Sequence, residues 1–168
     1  MGKSKKKTKG SKKAIPVSGK GLRVGIDFGT SHTIVALADG GNHPILTLPF
    51  DYDDEVLSTD RVQSCIAHYD GHFLYGPAAH ACYLDHCEEG AVLIRSIKRL
   101  LVDWYEGQEI ELGREVISVE ELLKNFFFEL KLAILRSLDL SPRTEIEAVI
   151  SVPANSSSAQ RYVTLKAF

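Results

Sequence analysis

The sequence predicts an α/β fold in which an antiparallel hairpin of strands joins a mixed sheet. Three observations support this prediction. Short runs of strand-forming residues separated by turn residues open the folded part, a long segment of helical periodicity follows, and another strand-like run comes after it. The 168 residues, of which 44% are apolar and 25% charged, are ordinary in number and composition for one globular domain.

The first predicted elements are strands. Residues 22–28 (LRVGIDF) and 33–38 (TIVALA) are apolar runs with a glycine-containing turn between them. This arrangement predicts a strand, a tight turn and a second strand. Residues 45–50 have a similar composition and predict a third strand.

A two-residue turn is predicted at Asp70 and Gly71. An aspartate followed by glycine favours the left-handed backbone that a tight hairpin requires. Apolar runs at residues 62–69 and 73–75 flank the pair. We therefore expect these two runs to form an antiparallel hairpin.

Helices are predicted next. Pro77 suits the first position of a helix that continues through residues 78–86. Residues 91–101 (AVLIRSIKRLL) predict a second helix, whose apolar side holds Leu93, Ile97, Leu100 and Leu101. Residues 102–113 show no regular pattern and are expected to be irregular.

The longest predicted helix begins after Ser118. Ser118 and Glu121 have the spacing of a capping box, in which each side chain bonds the other's backbone. Apolar residues then recur at helical spacing, at Leu123, Phe127, Leu130, Ile134 and Leu138. Aromatic residues around the cylinder indicate that this helix packs on more than one side.

A strand and a helix complete the chain. Residues 145–152 (EIEAVISV) predict a buried strand that Pro153 ends. The serines at 156–158 provide caps for a helix over residues 159–168. Because this helix reaches the last residue without a C-terminal cap, we expect the chain to be truncated.

The charge distribution divides the chain in two. Residues 1–20 contain eight lysines and no acid, which leaves 12 basic and 22 acidic side chains in residues 21–168, a net charge of −10. With nothing apolar to offset the cost of ordering, the lysine-rich tail is expected to be disordered. Binding of nucleic acid or anionic lipid by the tail is the less favoured alternative.

No signal peptide or membrane span is expected. The tail lacks the apolar core of a signal peptide, and no apolar stretch of the sequence approaches the length needed to cross a bilayer. The three cysteines are odd in number and lack the spacing of a disulfide framework, which fits a reducing compartment. We therefore expect a cytoplasmic protein.

The first group of candidate site residues is Asp27, Gly29, Thr30 and Ser31. A carboxylate at the end of a strand can hold hydrated Mg²⁺, which prefers oxygen ligands. Gly29 allows the backbone to approach a phosphate, and Thr30 and Ser31 supply hydroxyl and amide donors. The plain alternative is an ordinary hairpin turn.

Two further groups are weaker when taken alone. Lys98 and Arg99 are adjacent cations on an apolar segment, so only one of them can face a cleft; the alternative is a solvated face. Pro153 ends a strand, and Arg161 follows eight residues later in a capped helix, which is also compatible with a structural corner.

Taken together, the three groups resemble the heat-shock-protein-70 chaperone family, in a bacterial-type form. The motifs GIDFGTS, IKRL, VPA and AQR occur in that family's order and at about its spacing. The resemblance covers roughly residues 22–168. It implies the actin-like, ribonuclease-H-like ATPase fold, of which residues 21–168 would be the first lobe of the nucleotide-binding domain.

The resemblance also implies roles for individual residues. Asp27 would hold the Mg²⁺ shell, while Gly29, Thr30 and Ser31 would contact the phosphates of ATP. Lys98 matches the family's catalytic lysine beside the γ-phosphate. Pro153 and Arg161 match a pair that relays the nucleotide state to the peptide-binding domain.

The implied function is an ATP-binding and ATP-hydrolysing lobe of a chaperone that assists protein folding. ATP, ADP and Mg²⁺ would be its ligands. Unfolded client proteins and co-chaperones would bind through regions that this chain lacks, and the fragment alone is expected to be inactive. The alternatives are an actin-fold sugar or metabolite kinase, and a non-hydrolysing scaffold that uses the basic tail.

Overall fold

The computed structural model describes residues 22–38, 41–152 and 156–168. The predicted disorder of residues 1–20 and the predicted strand end at Pro153 lie outside these ranges. In chain order, the strands are β1 (Leu22–Phe28), β2 (His32–Leu37), β3 (Leu48–Tyr52), β4 (Glu55–Thr59), β5 (Val62–Gln63), β6 (Ile66–Tyr69), β7 (His72–Tyr75), β8 (Val92–Ile94), β9 (Glu109–Leu112), β10 (Glu115–Ser118) and β11 (Ile146–Ser151). The α-helices are α1 (Pro77–His86), α2 (Val119–Ser137) and α3 (Ser158–Ala167), and two short 3₁₀ helices span Cys87–Glu89 and Ile97–Leu101.

A four-stranded mixed sheet organises the molecule, as the sequence predicts. Its strand order is β11-β1-β2-β5. Strand β1 pairs antiparallel with β2 and parallel with β11, in a register that places Asp27 beside Ser151. The carboxyl ends of β1 and β11 therefore lie at the same edge of the sheet.

Helix α2 packs against one face of this sheet at the end of β1. Side chains alternate along β1, so Phe28 is fully buried while Asp27 beside it is exposed. The Phe28 ring packs against those of Phe126 and Phe127 on α2, with centroids 5.9 and 5.2 Å apart. Burying an aromatic side chain of this kind stabilises the fold by about 1.5–3 kcal/mol.

A smaller sheet of order β7-β6-β8 packs against α1. The hairpin between β6 and β7 confirms the prediction from Asp70 and Gly71, which have φ angles of 48° and 76°. Both residues adopt the left-handed backbone of a tight turn. The predicted helix at Pro77 is also confirmed.

The helix predicted over residues 91–101 is wrong. Strand β8 occupies its first part and pairs with β6, with Ile66 opposite Ile94. The second part is the 3₁₀ helix Ile97–Leu101, named here the Lys98 helix, whose end residues Ile97 and Leu101 are buried. The apolar spacing fits both structures, and pairing with the distant strand β6 favours the extended one.

Residues 102–113, expected to be irregular, contain the first strand of a hairpin that the sequence did not predict. Strands β9 and β10 pair antiparallel around Gly113, which has a φ angle of 63°. Strand β10 leads directly into α2. The Ser118 hydroxyl accepts a hydrogen bond from the Glu121 N–H at 3.1 Å, so Ser118 is the predicted N-terminal cap.

The positions of the last strand and the last helix are confirmed, but the strand is less buried than the sequence predicts. Strand β11 is an edge strand whose outward residues are exposed, and Val149 retains 76% of its accessible surface, so the expectation of a buried strand is wrong. Helix α3 begins at a capping box between Ser157 and Gln160 and packs on α2. Buried Trp104 lies near Tyr162 of α3, with ring centroids 6.4 Å apart.

None of the described helices is long and apolar enough to cross a membrane.

Candidate functional site

The β1–β2 turn, residues 29–31, is held in a conformation that requires glycine at its start. The Gly29 N–H donates to the carbonyl oxygen of His32 at 3.1 Å. A Cβ atom at position 29 would lie closer to that same oxygen than real Cβ atoms approach any backbone atom. Because the obstacle is backbone, no side chain can move aside to make room for it.

Two carbonyl groups of the turn bond to residues from elsewhere in the chain. The Ser96 hydroxyl donates to the Thr30 carbonyl oxygen at 2.7 Å. The Ser64 N–H donates to the Ser31 carbonyl oxygen at 2.9 Å, and the Ser64 carbonyl in turn accepts from the Ile97 N–H. The turn is thus connected through short hydrogen bonds to the beginning of the Lys98 helix.

Lys98 lies against the turn. Its ammonium group donates to the carbonyl oxygen of Phe28 and lies 4.9 Å from the centroid of the Phe28 ring. Burial lowers the pKa of Lys98, and the nearby Asp27 carboxylate acts in the opposite direction. The neighbouring cation, Arg99, is exposed. Lys98 is therefore the cation that the fold places beside the turn.

Asp27 is an exposed carboxylate at the carboxyl end of β1. Strand pairing places it between Ile34 of β2 and Ser151 of β11. Among the described residues, no group of three or more histidine, cysteine, aspartate or glutamate side chains is arranged to hold a metal. A lone exposed carboxylate fits Mg²⁺, which keeps several waters and takes few protein ligands.

The structure brings together five of the seven residues to which the resemblance assigns a role. These are Asp27, Gly29, Thr30, Ser31 and Lys98, all of which belong to the β1–β2 turn, its preceding strand or the Lys98 helix. The close approach of Lys98 to the turn joins parts of the chain that are 70 positions apart.

The structure does not test the other two residues, Pro153 and Arg161, as a pair. Pro153 lies outside the described residues. Arg161 is an exposed residue of α3, and its N–H donates to the carbonyl oxygen of Ser157 at 3.1 Å. The relay between these two residues remains a prediction.

Sequence reasoning missed Ser64 and Ser96. Ser64 is fully buried, and its hydroxyl bonds that of Thr33, which is equally buried, at 2.9 Å. Ser96 immediately precedes the Lys98 helix and is 8% exposed. A serine before a helix normally indicates a cap, so the sequence carries no signal that its hydroxyl contacts Thr30.

Comparison with known proteins does not assign the chain to a family. No protein-family model matches it, and no curated protein matches it. The interpretation of the site therefore depends on its geometry and on the motifs in the sequence.

Proposed function

We propose that this chain binds Mg-ATP at the β1–β2 turn, as the first lobe of the actin-like nucleotide-binding domain of a heat-shock-protein-70-like chaperone that assists protein folding. We also propose that the protein is located in the cytoplasm. The observation that supports it best is the convergence of Lys98 and Asp27 on a glycine-dependent turn. Phosphoryl transfer needs mainly positioning and neutralisation of charge, and this group of residues offers both.

Each residue has a distinct role in the proposed reaction. Asp27 would hold the metal through its water shell, and bound Mg²⁺ would neutralise charge on the phosphate oxygens. The hydroxyls and amides of Thr30 and Ser31 would bind phosphate oxygens. Lys98 would stabilise the charge that develops on the γ-phosphate as a water molecule attacks it.

Lys98 must exchange partners to take this role. In the structure its ammonium is bonded to the Phe28 carbonyl and faces the Phe28 ring. A phosphate oxygen is a stronger, charged acceptor than a backbone carbonyl. We expect nucleotide binding to draw the ammonium from Phe28 towards the phosphates.

Titration of the ¹⁵N-labelled chain with Mg-ATP tests the proposal and detects even millimolar affinity. We expect the amide signals of Gly29, Thr30 and Ser31 to shift, with AMP causing much smaller changes because it lacks the β- and γ-phosphates. Asp27→Asn should weaken the Mg²⁺-dependent part of the binding. Asp54→Asn, which changes an exposed carboxylate on the β3–β4 turn, is the matched control. Absence of shifts at the turn at saturating nucleotide would contradict the proposal.

A second experiment separates catalysis from binding. In a natural form of the protein that carries this chain and hydrolyses ATP, Lys98→Ala should lower turnover more than affinity, because the ammonium acts mainly in the transition state. Arg99→Ala removes the adjacent exposed cation and should change neither. Equal losses of turnover and affinity in Lys98→Ala would show that Lys98 anchors the ground state instead.

A further inference from the structure

Three carbonyl groups around the β1–β2 turn accept hydrogen bonds from donors elsewhere in the protein. Lys98 donates to Phe28, the Ser96 hydroxyl to Thr30, and the Ser64 N–H to Ser31. Three of the four carbonyl oxygens from Phe28 to Ser31 therefore accept a hydrogen bond from the protein. A bound cation would find these oxygens already engaged.

The same contacts orient the amide groups of the turn. In a planar trans peptide, a carbonyl and the N–H of the following residue point in opposite directions. Because Ser96 fixes the Thr30 carbonyl, the Ser31 N–H points away from Ser96. The His32 N–H is not directed outward in this way, because the side of β2 opposite Ser64 faces β1 within the hairpin. A turn N–H that is directed away from the rest of the protein, as that of Ser31 is from Ser96, favours an anion such as a phosphate.

Ser96 is suited to this role because its hydroxyl is not used by its own helix. It occupies the position before the Lys98 helix, with φ −155° and ψ 106°, where a serine normally accepts a hydrogen bond from the first turn. No such bond is formed. The nearly buried hydroxyl instead donates across the chain to Thr30 at 2.7 Å.

We propose that Ser96 is a positioning residue that holds the Thr30–Ser31 peptide with its N–H directed outward for a phosphate oxygen. The inference depends on the proposed function for the identity of the ligand. The orientation of the peptide can be measured without any ligand. Ser96 acts through Thr30 and does not itself contact the phosphate.

The experiment compares Ser96→Ala, Ser96→Thr and Ser137→Ala with the unmodified chain. Ser137 is the matched control, since its hydroxyl also donates to a backbone carbonyl, that of Ile134 at 2.8 Å on α2. Residual dipolar coupling of the Ser31 N–H reports its direction in the ligand-free protein. Titration with Mg-ATP and with inorganic triphosphate then reports affinity, and thermal unfolding is recorded for every variant.

We expect Ser96→Ala to change the Ser31 coupling and to weaken triphosphate binding about fivefold, the effect of one net hydrogen bond. Ser96→Thr keeps a hydroxyl and should restore both quantities. Ser137→Ala should leave both unchanged, even where its thermal stability falls as much as that of Ser96→Ala. Should Ser96→Ala not fold, Ser96→Cys provides a nearly isosteric and weaker donor and is expected to change both quantities in the same direction.

The possible results distinguish this inference from the proposed function. An unchanged Ser31 coupling in Ser96→Ala overturns the inference, whether or not nucleotide binds. A changed coupling in a chain that binds neither Mg-ATP nor triphosphate supports the positioning of the peptide and contradicts the proposed function. A changed coupling with unchanged affinity overturns the link between that peptide and the phosphate.

Discussion

Two hairpin turns of this molecule are formed by different means. The β6–β7 turn consists of Asp70 and Gly71, both with left-handed backbone angles, and a Cβ added at Gly71 would meet only open space. The β1–β2 turn depends on Gly29 for a close backbone approach and on bonds from Ser64 and Ser96. The first turn is determined by its own two residues and the second by the tertiary structure.

This difference bears on the proposed function of the β1–β2 turn. Residues that make a turn by local preference need no support from the rest of the fold, and the turn presents nothing in particular to solvent. A turn fixed by distant donors has its peptide groups aligned in advance of ligand binding. The contrast between the two turns can be tested by substitutions that affect one of them at a time.

The largest effect is expected from Gly29→Ala. The new Cβ would collide with the backbone carbonyl of His32, and relief requires movement of β1 or β2. We expect a loss of about 3 kcal/mol in the free energy of unfolding, at the upper end of the cost of overpacking. Urea denaturation measures this loss. A loss below that of the corresponding substitution at Gly71 would show that the turn adjusts freely.

Ser64→Ala is expected to have the next largest effect. It leaves the buried Thr33 hydroxyl without its partner, at a cost of about 2 kcal/mol. Thr33→Val added to Ser64→Ala removes both hydroxyls, and much of the lost stability should return. Unfolding of the two single variants and the double variant completes the cycle. Additive losses would show that the two hydroxyls do not stabilise each other.

Gly71→Ala should cost less than either. The site is open, so the only penalty is the left-handed backbone at φ 76°, about 1 kcal/mol for a residue other than glycine. Gly71→Asn should cost still less, because asparagine tolerates this conformation. Thermal unfolding of both variants compares them directly. If alanine and asparagine are equally destabilising, the penalty does not arise from backbone conformation.

The smallest effect concerns the pH dependence of Lys98. Burial lowers its pKa in the folded state from the ordinary 10.5, so the unfolded chain binds more protons between the two pKa values. Stability contributed by this group therefore rises as pH increases from the folded pKa towards 10.5. We expect the wild type to gain stability relative to Lys98→Met across that window, as measured by unfolding in urea. A difference that is independent of pH would indicate a fully solvated ammonium.

The sequence predicted those elements whose signals are local. Strand β1, the turn at Asp70 and the helix beginning at Pro77 were each indicated by residues within the element itself. The Ser118 cap also belongs to this class, because cap and helix are adjacent. In each case a short stretch of chain contains all the information that determines its conformation.

The elements that escaped prediction depend on distant partners. Strand β8 is extended because β6 pairs with it, and the apolar spacing around Leu93 fits a helix equally well. The candidate site shows the same limit. Asp27 and Gly29 could be selected by residue type and Lys98 by the resemblance of its motif, but the contact of Ser96 forms only when the fold brings the Thr30 carbonyl oxygen within 2.7 Å of the Ser96 hydroxyl.

The environment of Trp104 gives the chain a built-in optical probe. It is the one tryptophan among the 168 residues, and it is buried close to Tyr162 of α3. Its emission therefore depends on whether α3 remains docked, since release of that helix would admit water to the indole and shift the emission to the red. Circular dichroism follows all the helices and strands together. A red shift at lower denaturant concentration than the change in circular dichroism would identify α3 as a separately unfolding unit.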